Sequence, residues 1–323
     1  MSLKSVVTGC GAYLPPDVMT NHDLAAIVDT SDEWIRERTG IRERHIVGDG
    51  QYTSDLAVEA ARRALEMAGR TPEDIDLIVV ATTTPDLTFP STAAIVQAKL
   101  GAPAGTAFDI QAVCTGFIYA ISTVDKFLKA GQHKCALVIG AETFSRILDW
   151  SDRATCVLFG DGAGAFVVEA IDENAAAGRG LLGSFLRCDG RLVDLLYVDG
   201  GVSRTQSTGH VRMQGNKVFR EAVERISAAM RAVADDAKID PHDIDWFVPH
   251  QANERIIHGV VKKLSLRPDQ VISTIARHGN TSAASIPLAY CEGVADGRIK
   301  KGDLVMLEGM GGGLTWGAAL FRA

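Results

Sequence analysis

The segment TPEDIDLIV at residues 71–79 returns as DPHDIDWFV at residues 240–248, 169 residues further along the chain. In both copies a proline and an acidic cluster lead into a short apolar run. Each copy also follows an amphipathic stretch, and these stretches predict helices at about residues 54–69 and 216–237. A unit of helix, turn and strand therefore occurs twice in the sequence.

A second apolar run follows each copy at a similar distance. Its two versions are ALVI at residues 136–139 and LVML at residues 304–307, and Leu137 and Leu304 are 167 residues apart. Apolar strands that alternate with helices indicate parallel strands buried on both faces. The sequence thus predicts an α/β protein of two related halves, at residues 1–172 and 173–323. Chance similarity of two helix–strand units is the alternative, and the second landmark at nearly the same offset counts against it.

Composition narrows the class of protein. The 323 residues are 46% hydrophobic and 23% charged, which is typical of a soluble globular protein with a large core. The net charge of −7 argues against nucleic acid as the main partner, because phosphate binding needs a surplus of lysine and arginine. The six cysteines form no CxxC pair, so the spacing of zinc ligands is absent and we predict no metal site.

The sequence also predicts where in the cell the protein is located. No apolar run approaches the length of a membrane-spanning helix, so we expect no membrane partner. No basic start is followed by a long apolar run, so we expect no signal peptide. The cysteines are scattered through apolar segments, as is typical of reduced thiols in a cytoplasmic protein.

Cys114 is the cysteine best placed to act as a nucleophile. It follows an apolar run and precedes Gly116 and a helical stretch at about residues 115–130. A thiol at a helix N-terminus faces unpaired amides and the positive end of the helix dipole, which lowers its pKa. Such a turn also leaves backbone N–H groups available to an oxyanion. The alternative is a buried inert cysteine, the interpretation we give to Cys10, Cys135, Cys156, Cys188 and Cys291.

Two residues of the second half are candidate partners of Cys114. His250 directly follows the repeated strand, and imidazole can donate to a developing anion near neutral pH. Asn280 precedes a threonine and a serine, so it could simply be a helix cap. However, shifting Cys114 by the repeat gives position 283, three residues from Asn280. The two loops are therefore near-equivalent and could meet in a cleft between the halves.

Two glycine-rich segments have different interpretations. The segment GGGLTWG at residues 311–317 either lets backbone approach a ligand closely or forms a tight turn, and composition does not separate these two. The segment GDGAG at residues 160–164 lacks the lysine and hydroxyl residue of a phosphate-binding loop. We interpret it as a structural turn.

Together these segments resemble the β-ketoacyl-acyl carrier protein synthase III family, the initiating condensing enzymes of type II fatty acid synthesis. The resemblance runs along nearly the whole chain, and the matching segments occur in the same order as in the family. They lie at residues 30–35, 38–41, 108–117, 159–164, 249–253, 278–282 and 311–317. The resemblance implies a thiolase fold, in which two duplicated halves form five αβαβα layers, and this agrees with the repeat.

The resemblance also implies a reaction, a decarboxylative Claisen condensation that needs no cofactor. Cys114 would take an acyl group from acyl-coenzyme A, a substrate, and His250 and Asn280 would hold the thioester of malonyl-acyl carrier protein. The amides of Cys114 and Gly312 match the oxyanion hole of the family. Both donors are neutral and fixed, which suits an enolate oxygen.

Departures from related families favour the initiating class. A degradative thiolase would carry a second active-site cysteine in the C-terminal glycine segment, where this chain has Leu314, Thr315 and Trp316. Elongating synthases use two histidines, and Asn280 stands at the second position here. A starter-unit condensing or acyl-transferring enzyme of a polyketide or other secondary pathway is the alternative. A third hypothesis is a non-enzymatic paralogue, and the presence of Cys114, His250 and Asn280 argues against it.

The resemblance extends to binding residues. Trp34, Arg38 and Arg153 match residues around the adenine and phosphates of coenzyme A, and Asn253 matches a residue near the pantetheine. Stacking on an indole and arginine–phosphate pairing suit those roles. An indole and guanidinium groups on the surface without a partner are the alternative.

Two further surfaces are implied. Met310 and Leu314 border the acyl pocket by motif position, and Phe89 matches a residue that reaches this pocket across a homodimer interface, with core packing as its alternative. A basic surface for the acidic carrier protein would comprise Arg220, Arg255, Lys262 and Lys263. Because glutamates lie between these cations, an ordinary solvated helix face is the alternative.

Overall fold

Two mixed β-sheets form the frame of the structure, a computed structural model that describes residues 2–323. The strands are β1 (Leu3–Tyr13), β2 (Asp17–Thr20), β3 (Glu43–Ile46), β4 (Leu77–Ala81), β5 (Thr106–Ile110), β6 (Cys135–Glu142), β7 (Gly162–Asp172), β8 (Gly180–Cys188), β9 (Leu196–Val198), β10 (Val211–Met213), β11 (Trp246–Pro249), β12 (Leu304–Gly311) and β13 (Thr315–Arg322). The helices are α1 (Asn21–Ala25), α2 (Asp32–Thr39), α3 (Thr53–Ala68), α4 (Thr92–Leu100), α5 (Gly116–Lys129), α6 (Arg153–Cys156), α7 (Glu173–Ala176), α8 (Gly215–Ala237), α9 (Glu254–Leu264), α10 (Ile275–His278) and α11 (Ser285–Ala295).

The two sheets follow one plan. The first has the order β1-β7-β6-β4-β5 and the second the order β8-β13-β12-β11. The fifth position of the second sheet is represented by a single parallel bridge between Phe247 and Val271. The predicted parallel strands are found on one side of each sheet, in β6, β4 and β5 of the first and in β12 and β11 of the second. On the other side of each sheet the pairing is antiparallel: β6 pairs with β7 and β7 with β1, and β12 pairs with β13 and β13 with β8.

The repeat offset of 169 is reproduced by the backbone. Strands β4 and β11 begin at Leu77 and Trp246, and helices α5 and α11 begin at Gly116 and Ser285. The 3₁₀ turns before these two helices, Val113–Thr115 and Ser282–Ala284, stand at the same offset. Each turn opens on a residue with a left-handed backbone, with φ of 50° at the first turn and 49° at the second. The matched strand and helix starts therefore confirm the predicted duplication.

Three buried clusters define five layers. The central cluster joins the inner faces of both sheets through α5 and α11, where Phe166 contacts Phe117 and Tyr290 with ring centroids 4.9 and 4.7 Å apart. A second cluster lies between the first sheet and the outer helices α3 and α4. A third lies between the second sheet and the outer helices α8 and α9. The order helix, sheet, helix, sheet, helix is the predicted αβαβα thiolase architecture.

The predicted helices are present with small shifts. The stretch at 54–69 is helical over Thr53–Ala68 and ends at Gly69, whose φ of 63° favours glycine. The stretch at 216–237 is Gly215–Ala237, and the stretch at 115–130 begins as a 3₁₀ turn before Gly116. β7 ends and α7 begins at residues 172–173, and the division of the chain into two domains there stays a prediction. Within residues 2–323 no helix is long and apolar enough to cross a membrane.

Candidate active site

Cys114, His250 and Asn280 line one cavity of about 410 Å³. Each follows or precedes a different element: Cys114 lies in the turn before α5, His250 after β11, and Asn280 between α10 and the turn at Ser282–Ala284. All three are buried, with 2%, 4% and 5% of their surfaces exposed. The duplicated fold thus brings together one residue of the first half and two of the second.

The turn that carries Cys114 is fixed by the end of the second sheet. The Thr315 hydroxyl donates to the Ala112 carbonyl at 3.0 Å, and the Thr115 hydroxyl donates to the Thr315 carbonyl at 3.1 Å. A Cβ atom on Gly311 would lie 2.6 Å from the Cys114 nitrogen, so only glycine allows this approach. The glycine segment therefore lies against the cysteine turn, and it also forms the tight turn between β12 and β13, in which Gly311 pairs with Thr315.

Two amides, one in the cysteine turn and one beside it, lack acceptors in the backbone. The first bonded amide of the cysteine turn is that of Thr115, so the Cys114 amide has no acceptor within the turn. The Gly312 amide donates to no backbone carbonyl within residues 2–323. A Cβ on Gly312 would lie 3.4 Å from the Val113 side chain, which places this glycine beside the cysteine turn. Both N–H groups are thus available to an anion.

Burial dominates the electrostatics of the thiol. It raises the pKa of Cys114 to about 12, while the nearby Ser282 hydroxyl lowers this pKa and the Glu142 carboxyl raises it further. The Ser282 hydroxyl makes no hydrogen bond of ordinary geometry. The sequence predicts that the helix terminus lowers the pKa of Cys114. This prediction is wrong for this structure, because the effect of burial is larger than that of the nearby amides. Cys114 is a neutral thiol here.

His250 is held from two sides. Its backbone N–H donates to the Glu308 carbonyl at 2.9 Å, and its ring Nδ1 lies 2.6 Å from the Ser285 hydroxyl. Burial lowers the pKa of His250 to about 3, so the ring is neutral near pH 7. Its Nε2 atom makes no hydrogen bond within residues 2–323.

Asn280 is oriented by its own loop. Its Oδ1 accepts the Ser282 N–H at 2.9 Å, which leaves the Nδ2 amide without a partner within residues 2–323. Its backbone N–H donates to the Leu158 carbonyl, and its carbonyl accepts the Gly160 N–H. Gly160 therefore anchors the Asn280 loop. The interpretation of residues 160–164 as a structural turn is wrong, because residues 162–164 form the start of β7, which pairs with β1. The cavity receives one imidazole nitrogen and one carboxamide N–H₂ from two fixed side chains.

An indole and two guanidinium groups stand at the mouth of this cavity. The Arg38 and Arg153 guanidinium carbons lie 4.5 and 4.9 Å from the centre of the Trp34 ring. Asn253 donates from Nδ2 to the Arg38 carbonyl at 2.9 Å and so links α9 to α2. Trp34, Arg38 and Asn253 line the cavity, and Arg153 stands next to the lining residue Ala154.

A second cavity, of about 1050 Å³, opens on the other side of the cysteine turn. Leu196 lines both cavities, and Val113, the neighbour of Cys114, lines the second. Sequence analysis did not identify Leu196 or Phe144, which also lines this cavity. Leu196 follows a 3₁₀ stretch without a helical or strand period, so no pattern marks it.

The three predicted acyl-pocket residues are dispersed. Met310 lines the first cavity. Leu314 is fully buried in the core between the second sheet and α8, and it lines neither cavity. Phe89 is 83% exposed, so core packing, the alternative for this residue, is wrong for the single chain.

The predicted docking cations differ in their availability. Lys263 forms an ion pair with Glu224, and the Arg255 guanidinium donates to the Glu37 carbonyl. Arg220 and Lys262 are exposed and make no ion pair within residues 2–323. Within the same residues no group of three histidine, cysteine, aspartate or glutamate side chains could hold a metal ion.

Comparisons with known proteins agree with this geometry. The family model described as 3-oxoacyl-[acyl-carrier-protein (ACP)] synthase III matches residues 108–190, and the model of its C-terminal part matches residues 234–323. A β-ketoacyl-[acyl-carrier-protein] synthase III of Caulobacter vibrioides is 62% identical over 321 residues, which cover 99% of this chain and 100% of that protein.

Solved structures give the same result. The crystal structure of a 3-oxoacyl-[acyl-carrier-protein] synthase III from Aquifex aeolicus has 46% identity and a TM-score of 0.94, with 99% of this chain and 100% of that chain covered. A priming β-ketosynthase of a polyketide biosynthetic pathway has 35% identity and a TM-score of 0.92, with 99% and 97% covered. Sequence identity is therefore greater to the Caulobacter and Aquifex synthases than to this polyketide enzyme.

Proposed function

Because this chain belongs to the β-ketoacyl-[acyl-carrier-protein] synthase III family and is an acyltransferase of the condensing class, we propose that it joins a short acyl group from coenzyme A to malonyl-acyl carrier protein. The reaction begins type II fatty acid synthesis. The observation that supports it best is the meeting of a thiol and two neutral nitrogen groups, from two halves of the chain, in one buried cavity.

The first half-reaction transfers the acyl group to Cys114. The sulfur forms a new thioester with the acyl carbonyl, the bond to the coenzyme A sulfur breaks, and the thiol proton leaves with coenzyme A. The oxyanion of this step would rest on the amides of Cys114 and Gly312, neither of which is used by the turn or by the glycine segment. Fixed amides stabilise such charge without reorganisation.

The second half-reaction removes carbon dioxide from the malonyl thioester. The C–C bond to the carboxylate breaks, and its electron pair becomes an enolate with charge on the thioester oxygen. His250 Nε2 and Asn280 Nδ2 are free to donate to that oxygen. The carbanion then attacks the acyl carbon of the Cys114 thioester, the bond from that carbon to the cysteine sulfur breaks, and the released thiolate takes a proton from solvent. Holding both thioesters in one cavity also supplies proximity.

The residues at the mouth suit coenzyme A. Adenine would stack on the Trp34 indole, with the Arg38 and Arg153 guanidinium groups pairing with phosphate. Arg153, which stacks on this ring in the free chain, would have to move aside for a base. Asn253 lines the same cavity as Cys114 and would contact the pantetheine.

The acidic carrier protein would dock on the face of α8 and α9 beside the same mouth. Of the four predicted cations, Arg220 and Lys262 are exposed and make no ion pair within residues 2–323, whereas Arg255 and Lys263 already have partners in the chain. Long-range attraction of this kind mainly raises the association rate and weakens with salt. Such a soluble reaction partner fits a cytoplasmic location, which we also propose.

We expect this chain to act as a homodimer in which Phe89 enters the partner's acyl pocket. An exposed phenylalanine next to Leu87, which is 53% exposed, is an unusual apolar projection for a monomer. The second cavity lies beside this segment and touches Leu87 and Thr88. The acyl group on Cys114 would extend toward it past Val113 and Met310, while Leu314 would act only from behind, through packing.

Phe89→Asp should shift the protein from dimer to monomer, because a carboxylate would be buried in an apolar interface. Light scattering after size-exclusion chromatography measures the mass directly. Val18→Asp is the matched control, since Val18 is 45% exposed in β2 and should leave the mass unchanged. A wild-type protein that elutes as a monomer at all concentrations would contradict the dimer.

The function itself is tested by intact-protein mass spectrometry and product analysis. Incubation with acetyl-, butyryl- and branched acyl-coenzyme A should add one acyl mass per chain for the accepted starters. Addition of malonyl-acyl carrier protein should then remove this mass and yield β-ketoacyl-carrier protein. Acylation without consumption of the malonyl carrier protein would favour an acyl-transferring enzyme of another pathway.

A further inference from the structure

Ser285 is the only side chain within residues 2–323 that contacts a ring nitrogen of His250 by a hydrogen bond. Its hydroxyl lies 2.6 Å from Nδ1 and also accepts the Gln251 backbone N–H at 3.3 Å. Ser285 is 1% exposed, so water does not compete for this hydroxyl. These two contacts determine where the imidazole proton must be.

The Ser285 hydroxyl can donate one proton, and His250 Nδ1 is the acceptor within hydrogen-bond distance. Because the Gln251 N–H already points at the oxygen, the Ser285 proton can be directed at His250 Nδ1. In the opposite arrangement Nδ1–H would donate to the hydroxyl, and the Ser285 proton would be buried without any acceptor within residues 2–323. Such an unmade hydrogen bond is unfavourable. Nδ1 therefore accepts, and the ring proton resides on Nε2.

The Gln251 N–H is itself held in place. The Gln251 side chain is fully buried, and its Oε1 accepts the Thr274 and Ile275 N–H groups at 2.8 and 3.0 Å. Its Nε2 donates to the Pro249 carbonyl at 2.7 Å. With every polar atom of this side chain bonded, the backbone at Gln251 cannot easily turn away from Ser285.

The duplication shows that the fold does not require this polar pair. The repeat offset of 169 relates His250 to Ala81 and Ser285 to Gly116. In the first half a Cβ on Gly116 would lie 3.0 Å from the Ala81 Cβ, so these two positions also face each other. The same strand end and helix start are therefore built there without a side-chain hydrogen bond. The polar contact is specific to the half that carries the imidazole.

We infer that Ser285 is a positioning residue that fixes His250 in the tautomer with its proton on Nε2, aimed at the oxygen of the malonyl thioester. This inference rests on the proposed function. It also assigns His250 as a hydrogen-bond donor rather than the base that takes the Cys114 proton, since Nε2–H has no free lone pair.

The kinetic test separates the two half-reactions in Ser285→Ala. Condensation and malonyl decarboxylation should fall roughly ten- to hundredfold in kcat, by analogy with the loss of the hydrogen-bond partner that orients a metal-bound imidazole. Acylation of Cys114 by acyl-coenzyme A should keep its rate, and the KM for malonyl-carrier protein should change little. Ser285→Thr, which keeps the hydroxyl, should recover most of the lost kcat. Ser122→Ala removes another buried hydroxyl, one bonded to Ser184, and should leave both half-reactions unchanged.

The tautomer is read separately by ¹⁵N NMR of protein labelled at histidine, with His250 assigned from His250→Ala. Wild type should show a protonated Nε2 and an unprotonated, hydrogen-bonded Nδ1, and Ser285→Ala should show the Nδ1 signal changed. A proton on Nδ1 in wild type would overturn the inference, as would equal losses of acylation and condensation in Ser285→Ala. Because this readout needs no turnover, it stands apart from the test of the proposed function.

Discussion

Cys114→Ala is expected to abolish acyl-enzyme formation and to reduce condensation by up to about 10⁶-fold, the scale seen when the nucleophile of a covalent catalyst is removed. No other thiol lines either large cavity, so none can replace it within residues 2–323. Decarboxylation of malonyl-carrier protein should persist in this variant, since the enolate needs only His250 and Asn280. Intact mass measures the first effect, and release of labelled carbon dioxide measures the second.

Cys135→Ala provides the matched control for this experiment. Burial raises the pKa of the Cys135 thiol to about 12, as it does for Cys114, but Cys135 lies at the start of β6 and lines neither large cavity. The two thiols therefore differ in position and not in intrinsic acidity. Acylation that survives Cys114→Ala, or disappears in Cys135→Ala, would contradict the assignment of the nucleophile.

The raised pKa has a consequence for how Cys114 reacts. A thiol whose pKa lies near 12 is almost entirely protonated at pH 7, so its thiolate must form within the complex with acyl-coenzyme A. The amides around the sulfur become useful at that moment, when charge moves from the sulfur to the acyl oxygen. The helix terminus thus acts on the transition state more than on the resting thiol.

Much of this geometry could be predicted because it repeats. The offset between the two copies placed the turn of Cys114 and the loop of Asn280 at near-equivalent positions, and the helices that follow them, which begin at Gly116 and Ser285, keep that offset. Apolar periodicity placed the helices within one residue at most ends, since a buried face with a 3.6-residue period has few alternatives.

What could not be predicted depends on contacts between distant segments. The acidity of Cys114 follows from burial under the glycine segment, and the tautomer of His250 follows from a serine 35 residues away. The antiparallel direction of β1 and β8 depends on pairing with distant strands and is not visible in the local sequence pattern. Leu314 was placed at the acyl pocket by motif position alone, and the motif does not say which way the side chain points.

The second largest effect is expected when either hydrogen-bond donor to the malonyl thioester oxygen is removed. His250→Ala and Asn280→Ala should each lower decarboxylation and condensation by about 10²- to 10³-fold, or about 3 kcal/mol of transition-state stabilisation, because each removes one fixed donor from the enolate oxygen. Acylation of Cys114 should be nearly unchanged in both. Asn280→Asp is the sharper variant, since it keeps the size of the side chain and replaces the free N–H donor with an acceptor.

The pH dependence distinguishes this arrangement from one in which His250 works as an imidazolium. Burial lowers the pKa of His250 from 6.5 to about 3, so the ring stays neutral as the pH falls from 8 to 5 and keeps its single Nε2 proton throughout. Decarboxylation should therefore show no inflection near pH 6.5 that disappears in His250→Ala. If such an inflection is found, the ring gains charge in the working enzyme and the neutral pair of donors is wrong. If the inflection is absent, the rates of the variants test whether both nitrogens bind one oxygen. The two single variants should then lose a similar factor in decarboxylation rate, and the double variant should lose less than the product of these factors. Such non-additivity is expected for groups that act as a unit.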